Sequence, residues 1–418
     1  MNKEFFKRNR KELLGGLSDN SITVLFSGDS PFKSADYKYR FEPSRNFYYI
    51  TGFERENAIY MVLKENGKII EHFYIERQDP EMIKWIGKKP TIEESKEITG
   101  IENVKYNDQF KEDFSRIGRV TSCCYETVYL DLEKREYDSM PTKSNEFAIE
   151  LMKKYPYLKV KNVYGKIAEL RVVKKPEEIE LIKKAIEITK EGIYSIFKNS
   201  KEEISECELE AHFDYELRKR GIRHTAFDTI IGSGINGTIL HYVENNCKIE
   251  KNSLVLLDLG AQYKLYNGDI SRTFPANGKF TERQKEVYNA VLSAMKKVEA
   301  TAKAGIKMSD LEKVAMDELG NGCVKLGLIK DKSEVRKYYF HSIGHYLGLD
   351  THDVGSYDRV LEEGTVITNE PGIYIEEEGI GVRIEDDLLI TKEGCINLSK
   401  DIIKEVEEIE EFMAENKQ

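Results

Sequence analysis

Ser253-Leu254-Val255-Leu256-Leu257-Asp258-Leu259-Gly260 is an apolar run that carries a single carboxylate. Leu and Val in a run this short, closed by glycine, read as a buried β-strand. A carboxylate in such a strand must be paired, protonated or bound to a cation, because burying it alone costs several kcal/mol. Three more acids have comparable settings. Asp269 lies in Asn267-Gly268-Asp269-Ile270-Ser271-Arg272-Thr273, Glu370 in Thr368-Asn369-Glu370-Pro371-Gly372, and Glu385 in Gly381-Val382-Arg383-Ile384-Glu385-Asp386-Asp387. One of these alone would read as a strand-end carboxylate accepting hydrogen bonds; four with a histidine cluster among them read as a site.

That cluster runs from His341 to Asp353, and His341, His345 and His352 are three of the seven histidines in the chain. Gly344, Gly348 and the following Gly355 interrupt any helical period. The spacing of His341 and His345 is that of the zinc-protease helix, but the glutamate this motif needs is replaced by Ser342. A fourth histidine, His241, follows a Gly232, Gly234, Gly237 pattern that imitates a dinucleotide-binding fingerprint, with Asp258 near the place of a ribose-binding acid. The stretch after Gly237, Thr238 to Asn246, is too short and too β-prone for the helix that would face a pyrophosphate.

Asp258, Asp269, Glu370 and Glu385 with one histidine make a mostly hard, oxygen-rich donor set. It suits Mn²⁺, Co²⁺, Fe²⁺ or Zn²⁺ in a carboxylate-bridged pair. Two such cations roughly 3.5–4 Å apart activate a water and polarise a carbonyl together, so amide hydrolysis is the natural reaction class.

Outward from these residues, the chain reads as two regions. In the first, Ser21 to Phe26, Ala58 to Leu63, Ile69 to Ile75 and Thr127 to Leu132 are expected strands. Pro80 to Ile86, Ile92 to Thr99 and Ser144 to Tyr155 are expected helices, which gives an α/β domain over 1–165. From 166 to 418 an α+β domain is expected. Pro176 opens a long helix, Ser205–Glu208 is a capping box for a second with Gly221 after it, and boxes at Thr281–Gln284 and Ser309–Glu312 open another pair. Strands are expected at Thr229–Ile231, Ser253–Leu259, Thr365–Thr368 and Asp387–Ile390.

The totals exclude several functions. Of 418 residues, 40% are hydrophobic and 33% charged, and the net charge is −10 with Lys and Arg scattered, which argues against nucleic acid as a partner. No apolar run approaches the roughly 18 residues of a membrane span. The charged start, Met1-Asn2-Lys3-Glu4, lacks a secretory core, so a cytoplasmic location is expected. Cys123, Cys124, Cys207, Cys247, Cys323 and Cys395 form no Cys-x-x-Cys pair and read as reduced thiols.

The order Asp258, Asp269, His345, Glu370, Glu385 resembles the five-ligand pattern of the pita-bread metallopeptidases, which include methionine aminopeptidase, prolidase and aminopeptidase P. The segment His341 to Asp353 is similar to the prolidase and aminopeptidase P signature, with Thr351 where Ile or Val is usual. Arg45 to Phe53, Arg77-Gln78-Asp79-Pro80 and Trp85-Ile86-Gly87 resemble the aminopeptidase P N-terminal domain. The resemblance implies a pita-bread catalytic domain that binds two divalent metal ions, with Mn²⁺ placed first. It implies that Asp258 chelates one metal, His345 and Glu370 hold the other, and Asp269 and Glu385 bridge both. Glu370 would also be the general base, His241 and His352 would contact substrate, and His341 and Arg383 would support them. The implied substrates are peptides with proline in second position, and the implied assembly is a homodimer or homotetramer. Trp85 matches a position that reaches a neighbouring subunit, the alternative being a tryptophan packed in its own domain. Competing expectations are a prolidase, restricted to Xaa-Pro dipeptides, and a non-catalytic peptide-binding module on the same fold. A metal-free hydrolase of this fold leaves the five donors unexplained.

Overall fold

The computed structural model describes residues 1–117 and 125–416. Cys123 and Cys124 lie outside them. Cys207, Cys247, Cys323 and Cys395 carry no disulfide. Among the described residues no helix is long and apolar enough to cross a membrane. The chain divides into two compact units, Met1–Arg171 and Val172–Gln418, where the sequence reading placed its boundary at 165/166.

The first unit is built on a six-stranded mixed sheet. Its strands are β1 (Ser21–Phe26), β4 (Ile59–Glu65), β5 (Lys68–Ile75), β6 (Val104–Tyr106), β7 (Thr127–Leu130) and β8 (Lys159–Asn162), in the order β6-β5-β4-β1-β7-β8. A separate hairpin joins β2 (Phe32–Ser34) and β3 (Tyr37–Lys38). Alternate residues of β1, β4 and β7 (Ile22, Val24, Met61, Leu63, Val128, Leu130) bury one face against Phe110, Phe114 and Leu151 of the covering helices. The expected helix at Pro80–Ile86 shortens to Ile83–Ile86, and Trp85 on it is 82% exposed, so it does not pack within its own domain.

The second unit repeats one theme. Helices α1 (Pro176–Asn199) and α2 (Glu206–Lys219) accompany a sheet of β9 (Ile230–Ser233), β10 (Leu254–Leu259) and β13 (Ile270–Pro275), with β10 central and antiparallel to both neighbours. Between β10 and β13 lies the short ladder of β11 (Gln262–Tyr263) and β12 (Tyr266–Asn267). Helices α3 (Glu282–Thr301) and α4 (Met308–Lys325) accompany β14 (Val366–Asn369), β17 (Asp386–Ile390) and β18 (Cys395–Asn397), again antiparallel with the middle strand shared. A hairpin of β15 (Gly372–Ile375) and β16 (Ile380–Arg383) follows β14. The caps at Ser205 and Thr281 are present as expected. The third is not: α4 begins at Met308, and the Asp310 carboxylate accepts from the Lys307 amide at 3.2 Å. Glu312 is engaged elsewhere, accepting from the Ile343 amide at 2.6 Å and the Tyr339 hydroxyl at 3.0 Å.

The glycine pattern at 232–237 ends β9 in a 3₁₀ turn, Gly234–Thr238, with no α-helix behind it. A Cβ on Gly381 would stand 1.8 Å from the Gly237 carbonyl oxygen, so β16 crosses this turn closer than any side chain permits.

Candidate metal centre

Alternation along β10 turns Leu254, Leu256 and Asp258 to one side. Asp258 pairs across the ladder with Ser271, so the neighbouring Asp269 arrives at the same end of the sheet. In the other half Asn369 pairs with Asp386, which places Glu370 and Glu385 just beyond the end of that ladder. The halves meet where the Glu385 amide donates to the Ser271 carbonyl at 3.1 Å. Four carboxylates from distant parts of the sequence therefore converge.

Asp269, His345 and Glu385 each place a ligand atom within 4.8 Å of the other two, the one such group of three among the described residues. His345 Nε2 is 3.4 Å from Asp269 Oδ2 and 3.5 Å from Glu370 Oε1. Its Nδ1 lies 3.0 Å from the Tyr346 carbonyl oxygen. A ring with its proton on Nδ1 donates there and points the Nε2 lone pair at two carboxylates, an arrangement that a cation turns into ligation.

Burial, then the charges of Asp258, Asp387 and Glu370, push the Asp269 carboxyl well above its ordinary range. Glu385 is pushed well up by burial and by Asp269, Glu370 and Asp258. Glu370 is raised by burial, partly offset by His345 and Arg383. Among the described residues Asp258 Oδ1 is buried with no hydrogen-bond partner. An acceptor-rich cluster with an orphaned carboxylate oxygen and a histidine lone pair turned inward fits divalent cations. The donors are oxygens and one imidazole, with no thiolate.

Arg383, on β16, organises the rest. Its guanidinium donates to Asp258 Oδ2 at 2.7 Å, Ser271 Oγ at 2.9 Å and the Tyr374 hydroxyl oxygen at 3.1 Å. Ser271 in turn donates to Glu385 Oε2 at 2.8 Å. The Tyr374 hydroxyl lies 2.8 Å from His341 Nε2, while His341 Nδ1 lies 2.8 Å from the Ser342 carbonyl oxygen. The imidazole thus donates through Nδ1 and accepts the tyrosine proton through Nε2. Burial, with Arg383 beside it, pushes His341 down to about 3 and keeps it neutral. Thr368 Oγ1 donates to Glu370 Oε1 at 3.2 Å and accepts from the His345 amide at 3.0 Å.

All nine residues singled out from sequence are in the second unit. His345 and His352 stand ring to ring, 4.3 Å between centroids. His241 and His352 are exposed, whereas Arg383 is buried. No helix forms over His341–His345, which disposes of the zinc-protease reading on geometry as well as on residue type. Thr351, which stands where Ile or Val is usual, donates its hydroxyl to the Ala226 carbonyl at 3.1 Å. Tyr374, Ser271 and Thr368 were not singled out from sequence. Ser271 and Thr368 lie in strands beside the candidate acids and Tyr374 stands between two isoleucines, but the side chains each would meet depend on pairing across the chain.

Residues 180–392 match Metallopeptidase family M24, and residues 6–125 match the aminopeptidase P N-terminal domain. The chain is 32% identical to the Xaa-Pro aminopeptidase of Escherichia coli, over 99% of this chain and 98% of that one. It is 31% identical to human Xaa-Pro aminopeptidase 3, over 97% of this chain and 83% of that one. A solved Bacillus anthracis structure described as an aminopeptidase P superposes with a TM-score of 0.98 at 52% identity, covering 100% of this chain and 99% of that one. Escherichia coli aminopeptidase P with the inhibitor Pro-Leu superposes at 0.92 with 30% identity, covering 100% and 99%. The chain therefore belongs to metallopeptidase family M24, a pita-bread metallopeptidase that also carries the aminopeptidase P N-terminal domain.

Proposed function

We propose that this protein is a Xaa-Pro aminopeptidase, releasing the first residue from peptides whose second residue is proline. The observation that carries the reading is the convergence of Asp269, His345 and Glu385, with Glu370 3.5 Å from His345 and the Asp258 charge acting on Asp269 and Glu385, in a chain related over its whole length to Xaa-Pro aminopeptidases.

Asp258, Asp269, His345, Glu370 and Glu385 would hold the metal ions, two divalent cations with Mn²⁺ placed first because the donors are hard. Bound there, they supply Lewis-acid activation of a water and of the scissile carbonyl. Glu370 is the general base, and Thr368 holds one of its oxygens. His241 and His352, on the exposed rim, contact the scissile carbonyl and the proline side. Neutral His341, held by Tyr374, and Arg383, holding Asp258, fix that geometry. The Xaa-Pro bond is a tertiary amide without an N–H, so a site that grips the carbonyl loses nothing by the missing donor. The unit division at 171/172 supports the reading of an N-terminal domain followed by a catalytic one. Exposed Trp85 and Ile86 support a homodimer or homotetramer in which this surface meets a second copy. We place the protein in the cytoplasm.

Hydrolysis of an Xaa-Pro-Yaa tripeptide beside the matching Xaa-Pro dipeptide, with Mn²⁺ and after chelation, tests the reading. Metal-dependent release of Xaa from the tripeptide is expected. Cleavage of the dipeptide alone would make the protein a prolidase, and cleavage of neither would make it a binding module.

A further inference from the structure

Glu206 opens α2, yet the capping of that helix is done by Ser205 and Glu208. The Glu206 side chain is fully buried and turned the other way. Its Oε1 accepts from the Ser233 amide and hydroxyl, both at 2.8 Å, and from Asn236 Nδ2 at 3.1 Å. Its Oε2 accepts from the Tyr242 hydroxyl at 2.8 Å and the Cys247 amide at 3.0 Å. A carboxylate offers about four lone-pair positions, so five donors fill it completely. The backbone adds a sixth tie, from the Glu206 amide to the Cys247 carbonyl at 2.9 Å.

All these donors belong to one stretch, Ser233 to Cys247, with His241 near its middle. Beyond the 3₁₀ turn this stretch joins no sheet, so its polar groups need partners from elsewhere. Its side chains alternate: Ile239, His241 and Val243 are exposed, whereas Tyr242 is buried with Leu240 packed beside it. The Tyr242 ring lies in a small apolar cluster with Ile230, Leu256 and Tyr374, and Tyr374 is the residue that holds His341 and Arg383. Fixing the Tyr242 hydroxyl therefore fixes the direction in which His241 leaves the backbone.

We propose that Glu206 is a positioning residue for the hydrolysis, acting through Tyr242 and the Ser233–Cys247 segment on His241. The inference rests on the reading of His241 as a substrate contact. It differs from a purely structural role in one respect: the catalytic cost of losing Glu206 must depend on His241 being present.

The test is a double-mutant cycle on the full-length, metal-loaded protein with an Xaa-Pro-Yaa tripeptide. Glu206→Gln places an amide N–H among donors and should lower kcat/KM about 10-fold, mainly in kcat. In the His241→Ala background the same change should cost less than about twofold. Tyr242→Phe keeps the ring and removes one hydrogen bond, and should show the same dependence with a smaller loss. Equal losses with and without His241 would overturn the proposal. An unchanged kcat/KM for His241→Ala alone would instead overturn the reading on which it rests. Should Glu206→Gln fail to fold, the Tyr242→Phe and His241→Ala cycle decides, and additive losses there overturn the proposal.

Discussion

The two halves of the catalytic unit share a plan and hold their functional groups by different means. In the first, Asp258 and Asp269 sit on or beside a regular six-residue ladder between β10 and β13. In the second, His341, His345 and His352 lie on a segment without helix or ladder, tied to neighbouring strands by the isolated bridge of Tyr346 with Ile367 and by single hydrogen bonds such as those to Thr368 and Asn267. Acids that repel one another need a backbone that cannot splay apart, and paired strands provide it. Histidines need one ring nitrogen fixed by an acceptor, and an irregular chain leaves carbonyls free for that: Ser342 for His341 and Tyr346 for His345.

The strand-borne acids are where the comparison breaks most visibly. Asp269→Ala should lower kcat/KM on an Xaa-Pro-Yaa tripeptide by about 10³-fold or more and reduce bound metal measured by atomic spectroscopy. Full activity in that variant would mean that the ladder carries no ligand. Next is the clamp behind it. Arg272 is fully buried, donating to Asp386 Oδ1 at 2.7 Å and to the carbonyls of Ile402, Ile403 and Glu385. Arg272→Met removes one of the two cations on buried Asp386, Lys404 being the other, and takes the donor from the Ile402, Ile403 and Glu385 carbonyls; it should cost about 3 kcal/mol, a Tm loss of roughly 10 °C by calorimetry. A Tm within a degree or two of the parent would show that the ladder does not depend on it.

For the irregular half, Tyr374→Phe removes the proton donor to His341 and the acceptor for Arg383. We expect kcat to fall about 10- to 100-fold with Tm little changed; a stability loss without a kinetic one would make this network structural. The smallest effect concerns pH. Burial raises the Glu178 carboxyl to about 7, against the pull of the Lys175 amide, Lys174 and Tyr266. The folded state then binds a proton that the unfolded state has released, so this residue's contribution to stability falls as pH rises from about 4.5 to about 7. Glu178→Gln should flatten the denaturation midpoint over that window relative to the parent, and an identical slope would contradict the assignment.

Much of the site was legible because its residues break the pattern of their surroundings. Asp258 is conspicuous in an apolar strand, and three histidines in one glycine-broken window cannot be a helix face. The glycines at 232–237 lack the following helix that a nucleotide site needs, and the 3₁₀ turn at 234–238 gives their physical reason. What stayed hidden depends on pairing across the chain. Ser271 matters because Arg383 and Glu385 meet it, Tyr374 because His341 does, and Glu206 because four residues beyond position 232 converge on it. Ser309 failed as a cap for the same reason: Glu312 finds a partner thirty-one residues away. In the first unit the helices Lys3–Gly15 and Arg45–Thr51 were not expected; the second is a run of aromatic and β-branched residues that tertiary packing makes helical.

The most direct test of the central claim is metal stoichiometry against activity. The chelator-treated, folded protein is titrated with Mn²⁺ while bound metal and tripeptide hydrolysis are followed together. Activity that is absent in the metal-free protein and rises to a plateau at two ions per chain is the predicted result. Full hydrolysis by the metal-free protein, or binding without any activity, would contradict it.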